Sequence, residues 1–287
     1  MSRGKFLRKI AREVLGDEKA RKIWGRIEII GDIAVIRVPF DMDPEELIPL
    51  AEKIIKELPY VKSVWAGLPG VEGPYRLRKY VHLAGEKRSE TLYKEHGCLF
   101  KVDITKVYVS PTLNYEHKRI AQQVKPGEIV VNMFAGAGFF SIIAAKYSKP
   151  KIVHSIDINP YAHKYMVINI KLNKVEDIVK PYLGDAAKIV ERQLVNTCDR
   201  VLMPYPELAL SYLKYALKAL RSGKGYIHVY LHIDAEKGEN PLAIGEKQLI
   251  NELEALGVRK INILNKRIVR TIGPRKYQVV IDSYVEQ

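Results

Sequence analysis

The chain has 287 residues, 47% of them hydrophobic, enough to bury a sizeable core as two domains or as one domain with an appendage. Lys and Arg outnumber Asp and Glu by 47 to 33, and the formal charge of +14 favours polyanionic partners, nucleic acid first among them. The two cysteines, Cys98 and Cys198, lack metal-ligand spacing and read as buried thiols of a reducing compartment. No apolar run reaches membrane-spanning length and the basic N-terminus has no signal-type apolar core, so a cytoplasmic protein is expected.

Residues 1–24 carry eight Lys/Arg against three acids, with Leu7, Ile10, Val14 and Leu15 at helical spacing. This predicts a basic amphipathic helix, whose polar face either meets RNA phosphates or is simply solvated. Two apolar runs in 26–39 break at Gly31-Asp32, a hairpin signal. Asp43, Pro44 and Glu46 then open a helix: a cap, a residue suited to the first helical position, and the second half of a capping box. Leu47, Leu50, Ala51, Ile54 and Leu58 form its buried stripe. A strand is read at 61–67, an irregular Gly/Pro-rich connection at 68–74, and further strands at 75–83, 90–97 and 98–104. Residues 25–106 therefore read as a small α+β domain.

From 107 the pattern becomes regular alternation. Helix is expected at 115–124, then strands at 128–133, 151–156, 178–183, 199–203 and 225–232, with helices at 139–147, 160–173, 207–221 and 242–256 between most of them. Segments 259–269 and 277–285 are two last strands with no helix between. Five alternating units closed by a strand pair predict an α/β, Rossmann-like sheet of seven strands over 107–287, the class I methyltransferase architecture rather than a six-stranded dehydrogenase sheet.

The most informative stretch is EIVVNMFAGAGFFSI (128–142), an apolar run, a glycine-rich turn and a second apolar segment. Nineteen residues past Gly138, Asp157 ends the next apolar run. Strand, glycine turn, helix, strand and acid are the parts of a nucleoside site: glycines let backbone approach the ligand, and the acid accepts hydrogen bonds from ribose hydroxyls. Ser141 stands where a dinucleotide motif has its third Gly, and no phosphate-loop Lys follows. A nucleoside without phosphates, S-adenosylmethionine, fits this layout better than NAD or ATP. The candidate cofactor residues are Phe134, Ala135, Gly136, Gly138, Asp157, Ile158, Asn159, Asp185 and Ala186. Asp157 either bridges the ribose hydroxyls or caps the helix that Asn159-Pro160 opens; Asp185 either accepts from the adenine amino group or caps. If Asp157 binds ribose, removing each such hydrogen bond costs about 1.5–3 kcal/mol, roughly 10–100-fold in affinity.

The fourth strand ends in Pro204-Tyr205-Pro206, where Tyr205 either stacks on a purine or packs against a rigid turn. Residues 259–276 hold seven Lys/Arg and no acid. Such one-sidedness points to phosphate contact, with Lys266, Arg267, Arg270, Arg275 and Lys276 the candidates. The histidines form no cluster at metal spacing, so metal catalysis is not expected. Glu116 and His117 are candidate bases for an acceptor proton, against a capping or surface role for each.

The segments HGCLFKVDITKVYVSPTL (96–113), VVNMFAGAGFFSI (130–142), DINPYA (157–162), NIKLNK (169–174) and KRIVRTIGPRKY (266–277) resemble the archaeal and eukaryotic tRNA guanine-37 N1-methyltransferases and their wyosine-pathway relatives. The similarity runs from about residue 25 to the C-terminus. It implies a class I methyltransferase domain behind a small α+β domain that helps dock tRNA, S-adenosylmethionine as cofactor, and the anticodon loop of tRNA as partner. No membrane or metal is implied, and a monomer is expected. Two departures stand out. The N1-methyltransferases usually read SPRL where this chain has Ser110-Pro111-Thr112-Leu113, and NLP where it has Pro204-Tyr205-Pro206. Thr112 and Pro204 cannot supply the charge and the amide that the resemblance links to guanine positioning and transfer. The proline-rich loop is similar to that of relatives acting on guanosine-37 and on 4-demethylwyosine. The resemblance thus implies methylation of the purine at position 37, with Thr112, Glu116, Pro204 and Tyr205 at the acceptor. The alternatives are aminocarboxypropyl transfer to the same nucleoside, or a tRNA-binding relative that has lost catalysis.

Overall fold

Local chemistry sets most element boundaries. In the computed structural model, which describes residues 3–71, 73, 75 and 77–287, the hairpin expected at Gly31-Asp32 forms from β1 (Ile27–Ile30) and β2 (Ile33–Arg37), with Gly31 at φ +59°. Past it, a 3-10 turn (Pro44–Leu47) leads into α2 (Ile48–Glu57), and the Glu46 carboxylate accepts from the Asp43 N–H at 3.0 Å, as a capping box requires. A helix α1 (Arg3–Lys22) precedes them and is interrupted at Gly16, whose φ of +79° no helix accommodates. Met1 and Ser2 of the expected N-terminal helix, and Glu72, Pro74 and Arg76 of the expected 68–74 connection and 75–83 strand, lie outside the described residues.

The chain divides into two units, Met1–Pro111 and Thr112–Gln287. In the first, β3 (Ser63–Gly67) pairs parallel to β2 through the α2 crossover, and β4 (Tyr80–Gly85) pairs antiparallel to β3, giving the order β1-β2-β3-β4. The strand read at 75–83 thus begins at Tyr80. A separate hairpin joins β5 (Glu90–Glu95) and β6 (Cys98–Asp103). Leu7, Ile10, Ala11, Ala20 and Ile23 of the first 24 residues share one core with Leu47, Leu50 and Ile54, so the basic helix buries its apolar stripe in this unit. After β6 the N–H groups of Lys106 and Val107 turn back onto the Asp103 carbonyl, and the chain stays with the first unit to Pro111.

The second unit starts with α3 (Asn114–Gln123) and continues through β7 (Ile129–Asn132), α4 (Phe139–Ser148), β8 (Ile152–Asp157), α5 (Pro160–Leu172) and β9 (Val179–Leu183). A short helix not foreseen from the sequence, α6 (Ala186–Ile189), follows and widens into a π-type turn over Val190–Leu194; it is too short to carry a periodic signal. Then come β10 (Arg200–Met203), α7 (Ala209–Ala219), β11 (Lys224–Asp234), α8 (Pro241–Ala255), β12 (Lys260–Gly273) and β13 (Lys276–Glu286). The sheet has seven strands in the order β12-β13-β11-β10-β7-β8-β9, parallel from β11 to β9. β13 runs antiparallel to β11, and β12 antiparallel to β13. This is the seven-stranded, class I methyltransferase arrangement. α4 is apolar nearly all round and buried nearly all round, as such a helix must be. Cys98 and Cys198 are both buried thiols outside any disulfide, and burial pushes the Cys198 pKa up to about 12. No helix among the described residues is long and apolar enough to cross a membrane.

Candidate active site

From β7 the chain proceeds outward through β8 and β9; from β10 it proceeds the other way through β11. The loops after β7 and β10 therefore diverge between neighbouring strands, and a crevice opens at the carboxyl edge, where doubly wound sheets bind ligands.

The glycine turn fills one side of that crevice. Gly136 (φ +56°) and Gly138 (φ +93°) are both left-handed, but they serve different ends. A Cβ added at Gly138 would lie 3.0 Å from Ile142 Cδ1 and 3.2 Å from Met166 Cγ, so this glycine lets α4 and α5 close on the turn. A Cβ at Gly136 would meet no atom within 4 Å, so here the backbone borders open space. Beneath the turn, Asn132 donates to Ser141 Oγ at 3.1 Å and accepts from the Phe134 N–H at 3.3 Å, while Ser155 donates to Ser141 at 2.7 Å. Ser141 in place of a third glycine thus anchors a buried polar knot. Asn169 of α5 adds a hydrogen bond to the Ala137 carbonyl at 3.0 Å.

Asp157 closes β8 beside this turn. Its Oδ2 accepts from the Gly136 N–H at 2.7 Å and its Oδ1 from the Asn159 N–H at 2.9 Å. Burial pushes its pKa up, against the pull of those two donors. Asp157 is not the helix cap: that is Asn159, whose side chain accepts from the Tyr161 N–H at 2.9 Å. A carboxylate has about four acceptor positions, so the two backbone donors leave room for ribose hydroxyls. Ile158 (55% exposed) and Leu183 (50% exposed) stand next to it as apolar edges.

Asp185 does cap. Its Oδ1 accepts from the Lys188 N–H at 3.1 Å, opening the helix that contains Ala186. Its Oδ2 accepts from the Tyr212 hydroxyl, whose pKa is pushed up to about 12 by burial and then by this carboxylate. Nothing in the local sequence around Tyr212 singles it out. Its ring meets Phe134 edge-on at 5.4 Å, and Phe134 meets Tyr205 edge-on at 5.5 Å. Pro204-Tyr205 is thereby tied to the glycine turn by an aromatic row across the crevice. Both residues are half-buried.

The two candidate bases sit elsewhere than expected. Glu116 is neither a cap nor on the surface: it is 1% exposed and accepts from Arg119 Nε at 3.0 Å, from the Tyr230 hydroxyl at 2.9 Å and from Arg267. Two guanidiniums and a phenol hydroxyl already donate to its oxygens, so it is held inside a network rather than presented to an acceptor base. His117 is a core residue, stacked on Phe139 with ring centroids 5.3 Å apart and edge-on to Phe140 at 4.5 Å. Arg119 continues the buried network to Asp282, which also accepts from His228 at 2.7 Å. Burial opposes ionisation of Asp282, yet His228 and Arg119 hold its carboxyl well below the usual carboxylate range. Burial in turn keeps the His228 pKa low.

The basic segment 259–276 is one-sided in sequence but not in space. Lys260 pairs with Glu286 at 3.0 Å, Lys266 with Glu246, Arg275 with Glu236, and Lys276 with Asp234 at 3.4 Å, all on the surface. Arg267 reaches inward to Glu116, and Arg270 donates to Thr112 and Gln278. Exposed ion pairs are each worth only about 0–1 kcal/mol, so phosphates can displace them. Among the described residues no group of three His, Cys, Asp or Glu could hold a metal ion.

Comparison with known proteins assigns both parts of the chain. Residues 91–254 match the TRM5/TYW2 methyltransferase domain and residues 7–88 the TYW2 N-terminal domain. The tRNA 4-demethylwyosine(37)-methyltransferase Taw21 of Saccharolobus solfataricus is 47% identical over 260 residues, 91% of this chain and 94% of that protein. The complex structure of aTrm5 and tRNALeu superposes with a TM-score of 0.82 at 31% identity, covering 97% of this chain and 77% of that one. The crystal structure of M. jannaschii TYW2 in complex with AdoMet gives a TM-score of 0.67 at 28% identity, with 91% of this chain and 100% of that one covered.

Proposed function

The chain belongs to the TRM5/TYW2 methyltransferase family, and we propose that it methylates the purine at position 37 of tRNA, with 4-demethylwyosine as the favoured acceptor. The observation that carries the choice of acceptor is the match to Taw21 over nearly the full length of both chains. Pro204 and Thr112 support it, because this chain lacks the amide and the cation that the N1-methyltransferases usually have there.

S-adenosylmethionine, when bound, supplies a methyl group activated on a sulfonium. The residues present fit it: Asp157 would hold the ribose, Gly136 would admit the ligand to the backbone, and Ile158 and Leu183 would flank it. Asp185 and Ala186 border the same crevice from α6. Methyl transfer is an in-line displacement, so the chain's main contribution is to hold acceptor and donor close and aligned. Tyr205, fixed edge-on by Phe134, is placed to stack on the acceptor base, an interaction worth about 1–3 kcal/mol. Glu116 acts as a positioning group for Arg267 and Arg119 rather than as a base. Lys266, Arg275 and Lys276 contact tRNA phosphates by exchanging surface carboxylates for them. We place the protein in the cytoplasm, as a monomer.

Labelled cofactor and tRNA transcripts carrying guanosine or 4-demethylwyosine at position 37 test this reading, with the product nucleoside identified by mass. Methylation of the 4-demethylwyosine transcript is the expected result. An aminocarboxypropyl adduct, or tRNA binding without any transfer, overturns it.

A further inference from the structure

Tyr212 of α7 closes a circuit of contacts around the crevice. Gly136 donates its N–H to the Asp157 carboxylate at 2.7 Å, and Gly184 donates its N–H to the Asp157 carbonyl at 3.0 Å. Asp185 follows Gly184 and accepts from the Tyr212 hydroxyl. The Tyr212 ring returns to the glycine turn, meeting Phe134 edge-on at 5.4 Å, and two residues of chain lead from Phe134 back to Gly136. The circuit runs through the ends of β7, β8 and β9 and back through α7, and at Gly136 it borders open space. Two carboxylates stand on it, Asp157 at the end of β8 and Asp185 just past the end of β9. These strands are parallel neighbours, about 4.8 Å apart. A nucleoside laid across the two ends has its ribose at the first carboxylate and its base at the second.

Asp185 is pinned at both oxygens. Oδ1 accepts from the Lys188 N–H at 3.1 Å, and Oδ2 accepts from the Tyr212 hydroxyl. Burial, and then this carboxylate, push the Tyr212 pKa up to about 12, so at neutral pH the hydroxyl keeps its proton and donates it. A carboxylate has about four acceptor positions; two remain, and the two donors fix where they point. A 6-amino purine presents an N–H donor beside an acceptor ring nitrogen, whereas a 6-oxo purine presents a carbonyl acceptor beside a ring N–H. A carboxylate free to rotate can turn from the amino group of the first to the ring N–H of the second, and a pinned one cannot. We propose that Tyr212 is a specificity-determining residue of the cofactor site: by fixing the Asp185 carboxylate it makes the site select a 6-amino purine over a 6-oxo purine. Because it acts on the base through Asp185, Tyr212 is a positioning residue. The inference rests on the functional reading above and adds to it the residue that chooses the base of the cofactor.

The test titrates the full chain by calorimetry with S-adenosylhomocysteine and with S-inosylhomocysteine, its 6-oxo counterpart, in wild type, Tyr212→Phe and Asp185→Asn. Wild type is expected to bind the adenosyl compound about 100-fold more tightly than the inosyl one. Tyr212→Phe keeps the ring contacts with Phe134 and Tyr215 and removes only the hydroxyl. It should bind the adenosyl compound about 3–10-fold more weakly and the inosyl compound no more weakly than wild type, so the preference falls by about that factor. Asparagine caps a helix as well as aspartate, so Asp185→Asn keeps the helix start, and its amide should lower the preference further by donating to the 6-oxo group. In methylation of tRNA, Tyr212→Phe should raise the S-adenosylmethionine KM and leave kcat near wild type. An unchanged adenosyl-to-inosyl ratio in Tyr212→Phe overturns the proposal, whether both affinities hold or both fall together, the second case marking a brace between α6 and α7. If wild type binds neither compound, the functional reading has failed first and takes this one with it. A wild type that discriminates, beside a Tyr212→Phe that discriminates equally, fails this proposal alone.

Discussion

Replacing Asp157 by Ala separates the two duties of that carboxylate. It accepts from Gly136 and Asn159 at 2.7 and 2.9 Å, one donor per oxygen, so its charge is already shared when a ribose approaches. Each hydroxyl bond then sits at the lower end of the charge-assisted range, about 1.5 kcal/mol, and two of them amount to about 3 kcal/mol, or roughly 100-fold in Kd. The same substitution orphans the Gly136 and Asn159 N–H groups, and Asn159 is only 5% exposed, so the protein should also lose about 1–3 kcal/mol of stability for each group left unsatisfied. Isothermal titration with S-adenosylhomocysteine measures the first effect and a thermal melt the second. The sign of the pH dependence follows from burial, which raises the Asp157 pKa. The ionised form accepts both hydroxyls, so affinity should decline on acidification and begin to do so above the ordinary aspartate value of about 3.9. Asp157→Asn should bind weakly and lack that decline. If Asp157→Ala binds within threefold of wild type while its melt shifts, the carboxylate only braces the turn and the reasoning fails.

The two turn glycines should diverge when changed to Ala. Gly138→Ala combines a left-handed backbone with contacts at 3.0 and 3.2 Å and should cost about 2 kcal/mol in stability, read by denaturant titration. Gly136→Ala should cost about 1 kcal/mol of strain but show a larger loss in cofactor titration, because its methyl occupies the ligand side. Asp282→Asn leaves Arg119 and His228 without their shared carboxylate and should destabilise the protein by about 3 kcal/mol. Because the Asp282 pKa is depressed, its stabilisation is present above the unfolded value of about 3.9 and is lost as pH falls below it; chemical denaturation across that window should show the acid limb flattened in the variant. Replacing Lys266, Arg275 and Lys276 together by Gln should reduce the slope of log Kd for tRNA against log salt by about 0.7–0.9 for each phosphate no longer neutralised; an unchanged slope removes them from the footprint.

Much of the fold was legible because its signals are short-range. The Gly31-Asp32 hairpin, the Asp43-to-Glu46 helix start, the strand–glycine turn–helix unit and the acid ending β8 each depend on residues within about twenty positions of one another. Their period or backbone conformation is decided locally. The seven-stranded sheet also followed from the alternation, since right-handed crossovers leave few topologies. Helix α6 escaped because one turn has no periodicity, and Tyr212 because its contacts with Asp185 and Phe134, both distant in sequence, give it a part in the site.

What the tertiary structure alone decided is which charges meet. Segment 259–276 contains no acid, yet Glu116 lies against Arg267 across 151 residues, and Thr112 against Arg270 across 158. Composition and spacing carry no record of such pairings, because they are set by the stacking of α3 on the β11–β13 face. That stacking turned a candidate base into a buried anchor. It also tied one member of a basic run, Arg270, to Thr112 and Gln278, for the physical reason that a buried or half-buried charge takes its role from the groups folding brings to it.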